Sequence, residues 1–272
     1  MDIERGLVKT SRGYIHYRAA GSGKPIILLH INQQSSALNL ELMAALCKDM
    51  RPIAIDLPSN GMSDHVAGHM TIADYAGCVM EVMDGLGVRK LSSLGEALGA
   101  FVSVELACAH PERIERVALV NCPFYRDQAH AAQRHAPFFA GADKGGGLRP
   151  ADASGFPMTR TLEFMHQKDP EHAPMHPTQS WMDRINVAQM QAGRDRWQAT
   201  EALRLYDISG SLARVACPAM VLMGEHFHYA SYCDEFAKRI KDNRVAVVKG
   251  ARFCMAWEYA DDIAERVIDF HR

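Results

Sequence analysis

The chain has 272 residues, of which 48% are apolar and 23% are charged, and its formal net charge is −2. This apolar fraction is typical of globular domains and excludes an intrinsically disordered chain. A net charge near zero argues against a nucleic-acid-binding protein, which needs a basic excess or a basic stripe. The longest apolar runs are about as long as residues 25–29, which is far shorter than the ~20 residues that span a bilayer.

The N-terminus and the cysteines indicate the compartment. Residues 1–10 are polar and lack the apolar segment of a secretory signal. The seven cysteines are scattered along the chain, and no two of them form a C-x-x-C pair, which is typical of reduced thiols. We therefore expect a cytoplasmic protein that binds a small molecule but neither nucleic acid nor membrane. We expect no metal and no cofactor, and homo-oligomerisation stays open.

Short apolar runs alternate with helical patterns in the first half of the chain. The predicted strands are residues 14–18, 25–30, 51–56, 90–95 and 116–121, and the predicted helices are residues 38–47, 71–85 and 98–110. Strict alternation of strand and helix predicts a mostly parallel sheet with helices on both faces, the α/β class.

The alternation stops at residue 122 and resumes after residue 206. The later strands are predicted at residues 219–224 and 244–249, with helices at residues 231–240 and 258–270. We therefore predict one α/β core, formed by residues 1–122 and 207–272. Residues 123–206 then form a helical lid inserted after the strand at residues 116–121.

One short motif lies between a buried strand and a helix. Gly95-Glu96-Ala97-Leu98-Gly99 has the glycine spacing of the nucleophile elbow, G-x-S-x-G, in which a sharp turn exposes the central side chain above the sheet edge. The flanking glycines let the helix pack closely on the strand while the central residue adopts a strained conformation.

Other segments extend this pattern along the chain. His30 ends the predicted strand at residues 25–30, and the stretch from Asp56 to Asp64 contains Pro58 and Gly61. The predicted strand at residues 116–121 is preceded by His110-Pro111-Glu112-Arg113-Ile114. In order and spacing these segments resemble the α/β-hydrolase superfamily over nearly the whole chain. The resemblance implies the α/β-hydrolase fold, a helical lid and a Ser-His-Asp triad.

The three triad positions of the family are occupied by other residues. Ala97 stands at the nucleophile position and has no nucleophilic atom. Phe227 stands where the acid is expected, and Arg252 stands where the histidine is expected. A serine triad therefore cannot operate in this chain as it stands.

The oxyanion loop also differs from the family pattern. Ile31 replaces the glycine that usually follows the histidine, and Asn32 and Gln33 come next. The resemblance implies that the backbone N–H groups of Leu98 and Asn32 point to a common position. Two such donors stabilise a developing oxyanion whether or not a serine attacks.

The remaining candidates are charged or titratable side chains. Arg252 is a fixed cation suited to a substrate carboxylate, although a salt bridge within the protein is the alternative. His30, His226 and His228 are candidate acid-base groups, with His226 alternatively a turn residue. Glu96 lies beside the elbow, where a structural role is the alternative to substrate binding.

These observations lead to three functional hypotheses. We predict a cofactor-free enzyme of acid-base type, a lyase or isomerase, acting on a small carbonyl or carboxylate compound in a lidded pocket. One alternative is a serine hydrolase, of esterase, lactonase or C–C hydrolase type, whose nucleophile is replaced by Ala97. The other is a non-catalytic receptor for a small molecule.

Overall fold

The computed structural model describes residues 1–139, 174–193 and 197–272, and its centre is a single eight-stranded sheet. The strands are β1 (Glu4–Thr10), β2 (Gly13–Ala19), β3 (Lys24–Leu29), β4 (Met50–Ile55), β5 (Leu91–Glu96), β6 (Ile114–Val120), β7 (Ala219–Gly224) and β8 (Asn243–Val248). Their order across the sheet is β1-β2-β4-β3-β5-β6-β7-β8.

The helices connect or follow the strands from β3 onward. In the described residues they are α1 (Leu40–Leu46), α2 (Ile72–Gly85), α3 (Leu98–Ala109), α4 (Gln128–Phe139), α5 (Gln179–Ala192), α6 (Trp197–Leu205), α7 (Ile208–Leu212), α8 (Cys233–Arg239), α9 (Met255–Glu258) and α10 (Ala260–Phe270). None of them is both long enough and apolar enough to cross a membrane.

Strands β3 to β8 run parallel, whereas β1 and β2 form an antiparallel hairpin that pairs with β4. Successive side chains of a strand point to opposite faces. Ile27 and Leu29 therefore pack with α2 and α3, while Ile26 and Leu28 pack with α1 and α10. The helices cover both faces, and this is the predicted α/β-hydrolase architecture.

The strand β1 was not predicted, whereas the other seven strands were. Its residues, ERGLVKT, are mostly exposed and contain no buried apolar run, because β1 pairs on one side only and lies at the sheet edge. An edge strand without an apolar run carries little of the hydrophobic signal used for prediction.

The described parts of the predicted lid are helical. Within residues 123–206 they contain α4, α5 and α6, and α7 follows directly before β7. Thr178 caps α5 by accepting a hydrogen bond from the backbone N–H of Trp181 at 3.2 Å. Residues 140–173 and 194–196 lie outside the described residues, so the boundaries at 123 and 206 stay predictions.

Candidate active site

The turn between β5 and α3 has the strained backbone expected of an elbow. Ala97 has φ 49° and ψ −102°, a conformation that non-glycine residues rarely adopt. A Cβ atom on Gly95 would overlap the backbone of Gly99, and one on Gly99 would overlap the carbonyl of Leu29. Both glycines are therefore needed for α3 to pack against β5 and β3.

Backbone donors are available at this turn. Leu98 is the first residue of α3, and the first N–H groups of a helix have no intrahelical acceptor. Asn32 and Gln33 follow β3, the neighbour of β5, and both are half-buried. Gln33 has φ 62°, so the loop turns sharply directly after Asn32. The two predicted oxyanion residues, Leu98 and Asn32, therefore follow adjacent parallel strands at the same edge of the sheet.

Apolar side chains surround Ala97, a residue that is only 3% exposed. We call this group the elbow cluster, and its buried members are Ile31, Leu38, Ala97, Trp181, Met182, Ile185 and Cys254. Trp181, Met182 and Ile185 belong to α5, so a helix of the predicted lid segment lies over the elbow. The site is a closed apolar environment in which hydrogen bonds and charges act strongly.

Polar contacts fix α5 to the core. The guanidinium of Arg184 donates to both carboxylate oxygens of Glu41, at 2.7 and 3.0 Å, and to the carbonyl of Ala37 at 2.9 Å. Glu258 accepts the backbone N–H groups of Met175 and His176 at 2.9 and 2.6 Å. The segment that leads into α5 and the helix itself are thus attached to two different parts of the core.

Glu96 is buried and bound to backbone and amide donors. Its carboxylate accepts hydrogen bonds from Asn121 Nδ2 at 3.1 Å and from the backbone N–H groups of Met255 and Ala256 at 2.9 and 3.2 Å. Burial raises the pKa of Glu96, and these donors only partly offset the effect. The side chain thereby ties the elbow to the start of α9.

Asn121 is a central residue that sequence reasoning missed. It is fully buried, has φ 42° and donates to the carbonyl of Arg252 at 2.7 Å as well as to Glu96. Its Oδ1 accepts the N–H of Gly224 at 2.9 Å. One side chain therefore joins the ends of β5, β6 and β7 to the loop after β8. Its only signal in the sequence is an amide at the end of a predicted strand.

Both ring nitrogens of His30 are bound by the backbone. Nδ1 donates to the carbonyl of Ile31 at 2.7 Å, and Nε2 accepts the N–H of Leu57 at 3.0 Å. Burial lowers the pKa of His30, which favours the neutral ring that this arrangement requires. Acid-base chemistry at His30 would break one of these bonds.

The other predicted residues follow β7 and β8. Phe227 is buried and stacks on Phe253, with ring centroids 5.7 Å apart, and Phe253 also packs against the elbow cluster. His228 is half-buried, with its ring 4.6 Å from that of Phe227. Arg252 is half-buried in the loop that Asn121 holds, on the same sheet edge as Ala97.

His226 differs from Phe227 and His228 because its side chain is 48% exposed. Its Nε2 lies 3.8 Å from the carboxylate of Glu225, which accepts the N–H of Gly250 at 2.8 Å. The structure thus places His226 at the surface rather than with the elbow cluster. Among the described residues, no three His, Cys, Asp or Glu side chains form a group that could hold a metal ion.

Comparison with known proteins supports the α/β-hydrolase fold. The sequence pattern of the alpha/beta hydrolase fold family matches residues 24–259. The chain is 33% identical over 117 residues to haloalkane dehalogenase 2 of Mycobacterium bovis, an alignment that covers 43% of this chain and 41% of the dehalogenase.

Two further similarities extend over more of the chain. It is 23% identical to the (E)-2-((N-methylformamido)methylene)succinate hydrolase of Acinetobacter baylyi, over 82% of this chain and 80% of the relative. The structure of the enol-lactonase from Burkholderia xenovorans LB400 superposes with a TM-score of 0.74 at 23% identity, covering 98% of this chain and 99% of the lactonase.

Proposed function

The chain belongs to the α/β-hydrolase fold family, and from this premise we propose that it is an acid-base enzyme acting without a serine nucleophile. Its substrate is a small carbonyl or carboxylate compound bound at the elbow. The backbone N–H groups of Leu98 and Asn32 hold the reacting oxygen, and no cofactor takes part. The reaction is of lyase or isomerase type.

The observation that carries this proposal is the strain at Ala97. The conformation of Ala97, φ 49° and ψ −102°, destabilises the folded protein by about 1–3 kcal/mol for a non-glycine residue. The alanine side chain has no catalytic group that this strain would position. The turn still directs the N-terminus of α3 toward the site. Retention of the strain is explained if the backbone donors, rather than a side chain at this position, act on the substrate.

Contacts of the candidate side chains favour His228 as the proton-transfer group. The ring nitrogens of His30 are occupied, and His226 lies at the surface. His228 instead contacts Phe227, which connects through Phe253 to the elbow cluster. Its imidazole takes a proton from the carbon next to the carbonyl, and the enolate oxygen is held by the two backbone N–H groups. The imidazolium then returns the proton.

Arg252 supplies the positive charge that a carboxylate substrate requires. A guanidinium binds a carboxylate through two parallel hydrogen bonds and stays protonated at neutral pH. The relative from Acinetobacter baylyi carries a succinate, a dicarboxylate, in the name of its substrate. This name supports a carboxylate as the substrate class for the present chain.

A second candidate is a serine hydrolase that carries alanine at the nucleophile position. The relatives with hydrolase names favour it, and so does an elbow whose backbone would accept serine. Under this candidate Arg252 at the histidine position is unexplained, because a guanidinium cannot take the serine proton.

Two measurements separate these candidates. We expect the protein to exchange the C–H protons of small 2-oxo acids for deuterium in D₂O, followed by NMR. We expect His228→Gln to slow the exchange by about 10²-fold or more, while His226→Gln leaves it unchanged.

The companion variant is Ala97→Ser. We expect no sustained hydrolysis of p-nitrophenyl acetate, because no base lies at the position that would activate the serine. Robust ester turnover by this variant would overturn the acid-base proposal in favour of the hydrolase. Saturable binding of the oxo acids without exchange would overturn it in favour of a receptor.

A further inference from the structure

A small cavity with a mixed polar and apolar lining lies beside the elbow. Its volume is about 10 Å³, close to the smallest space that holds one water molecule or one substrate oxygen. Its lining includes Ile31, Leu38, Trp181 and Cys254, which also belong to the elbow cluster around Ala97. The cavity therefore adjoins the position where the proposed substrate lies.

Two buried residues that carry N–H donors line this cavity. Trp181 is 0% exposed and Asn39 is 3% exposed. Trp181 Nε1 and Asn39 Nδ2 have no hydrogen-bond partner in the part of the chain that the structure describes. A buried donor left unsatisfied destabilises the folded protein, so two such residues at one cavity favour an acceptor atom that binds there.

The acceptor is best an uncharged oxygen. Glu96 also lines the cavity, and a second negative charge next to its carboxylate would be repelled in a closed site. A carbonyl oxygen has two lone pairs, one for each of the two N–H groups. The apolar remainder of the lining suits the carbon skeleton that carries such an oxygen.

We propose that Trp181 and Asn39 form a two-donor site for one carbonyl oxygen of the substrate, separate from the donors at Leu98 and Asn32. The inference rests on the proposed function, because the rest of the same substrate lies at the elbow. It assigns a specificity role to two residues that are 142 positions apart in the sequence. A substrate with a second, uncharged carbonyl group is then preferred over one with a carboxylate at that point.

The test uses the full chain labelled with 5-fluorotryptophan and read by ¹⁹F NMR. The three tryptophan resonances are assigned with Trp181→Phe, Trp197→Phe and Trp257→Phe. Acetone is the probe, and acetate is the matched anion of nearly the same shape. We expect a saturable shift of the Trp181 resonance with acetone, a response to acetate at least tenfold weaker, and no shift of Trp197.

Asn39→Asp keeps the size of the side chain and removes its N–H donors. We expect it to weaken acetone binding at least tenfold. We expect Trp181→Phe to weaken acetone binding in the same way. The resonance of Trp257 reports binding in this variant, because its ring lies 5.4 Å from the ring at position 181 in the wild type. This second variant keeps the test valid if Asn39→Asp does not fold.

Three results would overturn the proposal. The first is the absence of a saturable response to acetone, which means that the cavity holds solvent only. The second is an equal response to acetone and to acetate. The third is an unchanged affinity for acetone in both variants. Because binding is read without turnover, intact acetone binding in a protein that exchanges no C–H protons would remove the proposed reaction and leave the site standing.

Discussion

Glu96 is the last residue of β5, directly before the elbow residue Ala97, and its carboxylate contacts protein donors. Three of these are Asn121 Nδ2 and the backbone N–H groups of Met255 and Ala256. A carboxylate that accepts backbone N–H groups at a helix start acts as a cap. At the scale of single residues, Glu96 therefore positions the loop containing Arg252, and its substrate role is confined to lining the cavity.

Removal of the Glu96 carboxylate is expected to destabilise the fold. In Glu96→Ala, three donors lose their acceptor in a buried place, and the free energy of unfolding falls by at least about 3 kcal/mol. Glu225→Ala is the matched control, because the exposed carboxylate of Glu225 accepts one N–H, that of Gly250. Urea denaturation should show a loss below about 1 kcal/mol for the control. Equal losses in the two variants would remove the capping role.

At the scale of elements, the close approach of α3 to β3 depends on Gly99. A Cβ atom there would overlap the backbone of Leu29, which cannot rotate away. We expect Gly99→Ala to lower the free energy of unfolding by about 3 kcal/mol or more, since overpacking against backbone forces the helix to shift.

Gly77 provides the opposite case within α2. A Cβ atom at Gly77 meets nothing within 4 Å, so alanine there gains helix propensity without a clash. We expect Gly77→Ala to raise the free energy of unfolding by about 0.5–1 kcal/mol. Thermal melting of both variants tests the pair, and destabilisation by both would show that the packing at Gly99 is not special.

Much of the element arrangement was predictable because buried parallel strands are continuous apolar runs. The strands around residues 25–30 and 219–224 were found in this way. The edge strand β1 lacks such a run and was missed. The elbow was also predictable, since a glycine pair at fixed spacing is a local requirement of the turn.

The side-chain connections of the site could not be predicted in the same way. Asn121 contacts residues 25 and 131 positions away, and Trp181 and Asn39 meet at one cavity only after α5 lies over the sheet edge. Such contacts depend on tertiary packing rather than on local spacing. For the same reason, the occupied ring nitrogens of His30 were not visible in the sequence.

At the scale of the whole molecule, Asp56 joins the antiparallel hairpin to the parallel part of the sheet. Its carboxylate accepts hydrogen bonds from the backbone N–H groups of Ser36 and Met62, at 2.6 and 2.9 Å, and lies 2.8 Å from His16 Nδ1. Burial alone would raise the pKa of Asp56, but its hydrogen bonds and the nearby His30 together lower it to about 2.

This depressed pKa predicts a contribution to acid stability. Since the unfolded chain takes up the proton first, near the ordinary value of 3.8, the contribution is complete above about pH 4. It is lost as the pH falls to about 2, and it amounts to about 2 kcal/mol. The difference in free energy of unfolding between the wild type and Asp56→Asn should therefore shrink between pH 4 and pH 2.

The control for this prediction is Asp261→Asn, at an exposed position of α10. Its stability should follow that of the wild type throughout the titration. A constant difference between the wild type and Asp56→Asn down to pH 2 would show that the Asp56 carboxylate is not selectively stabilised in the folded protein.

The contacts of Asn121 and Glu96 also set the timescale on which the site opens. The amide protons of Gly224, Met255 and Ala256 are bound to side chains rather than to a neighbouring strand or an earlier turn. In deuterium exchange they should nevertheless be protected, and they should exchange at a common rate, because their acceptors are linked through Asn121. In Asn121→Ala the three rates should separate. In the wild type, by contrast, the loops after β7 and β8 open as one cooperative unit. A molecule can reach Ala97 only when that single opening event occurs.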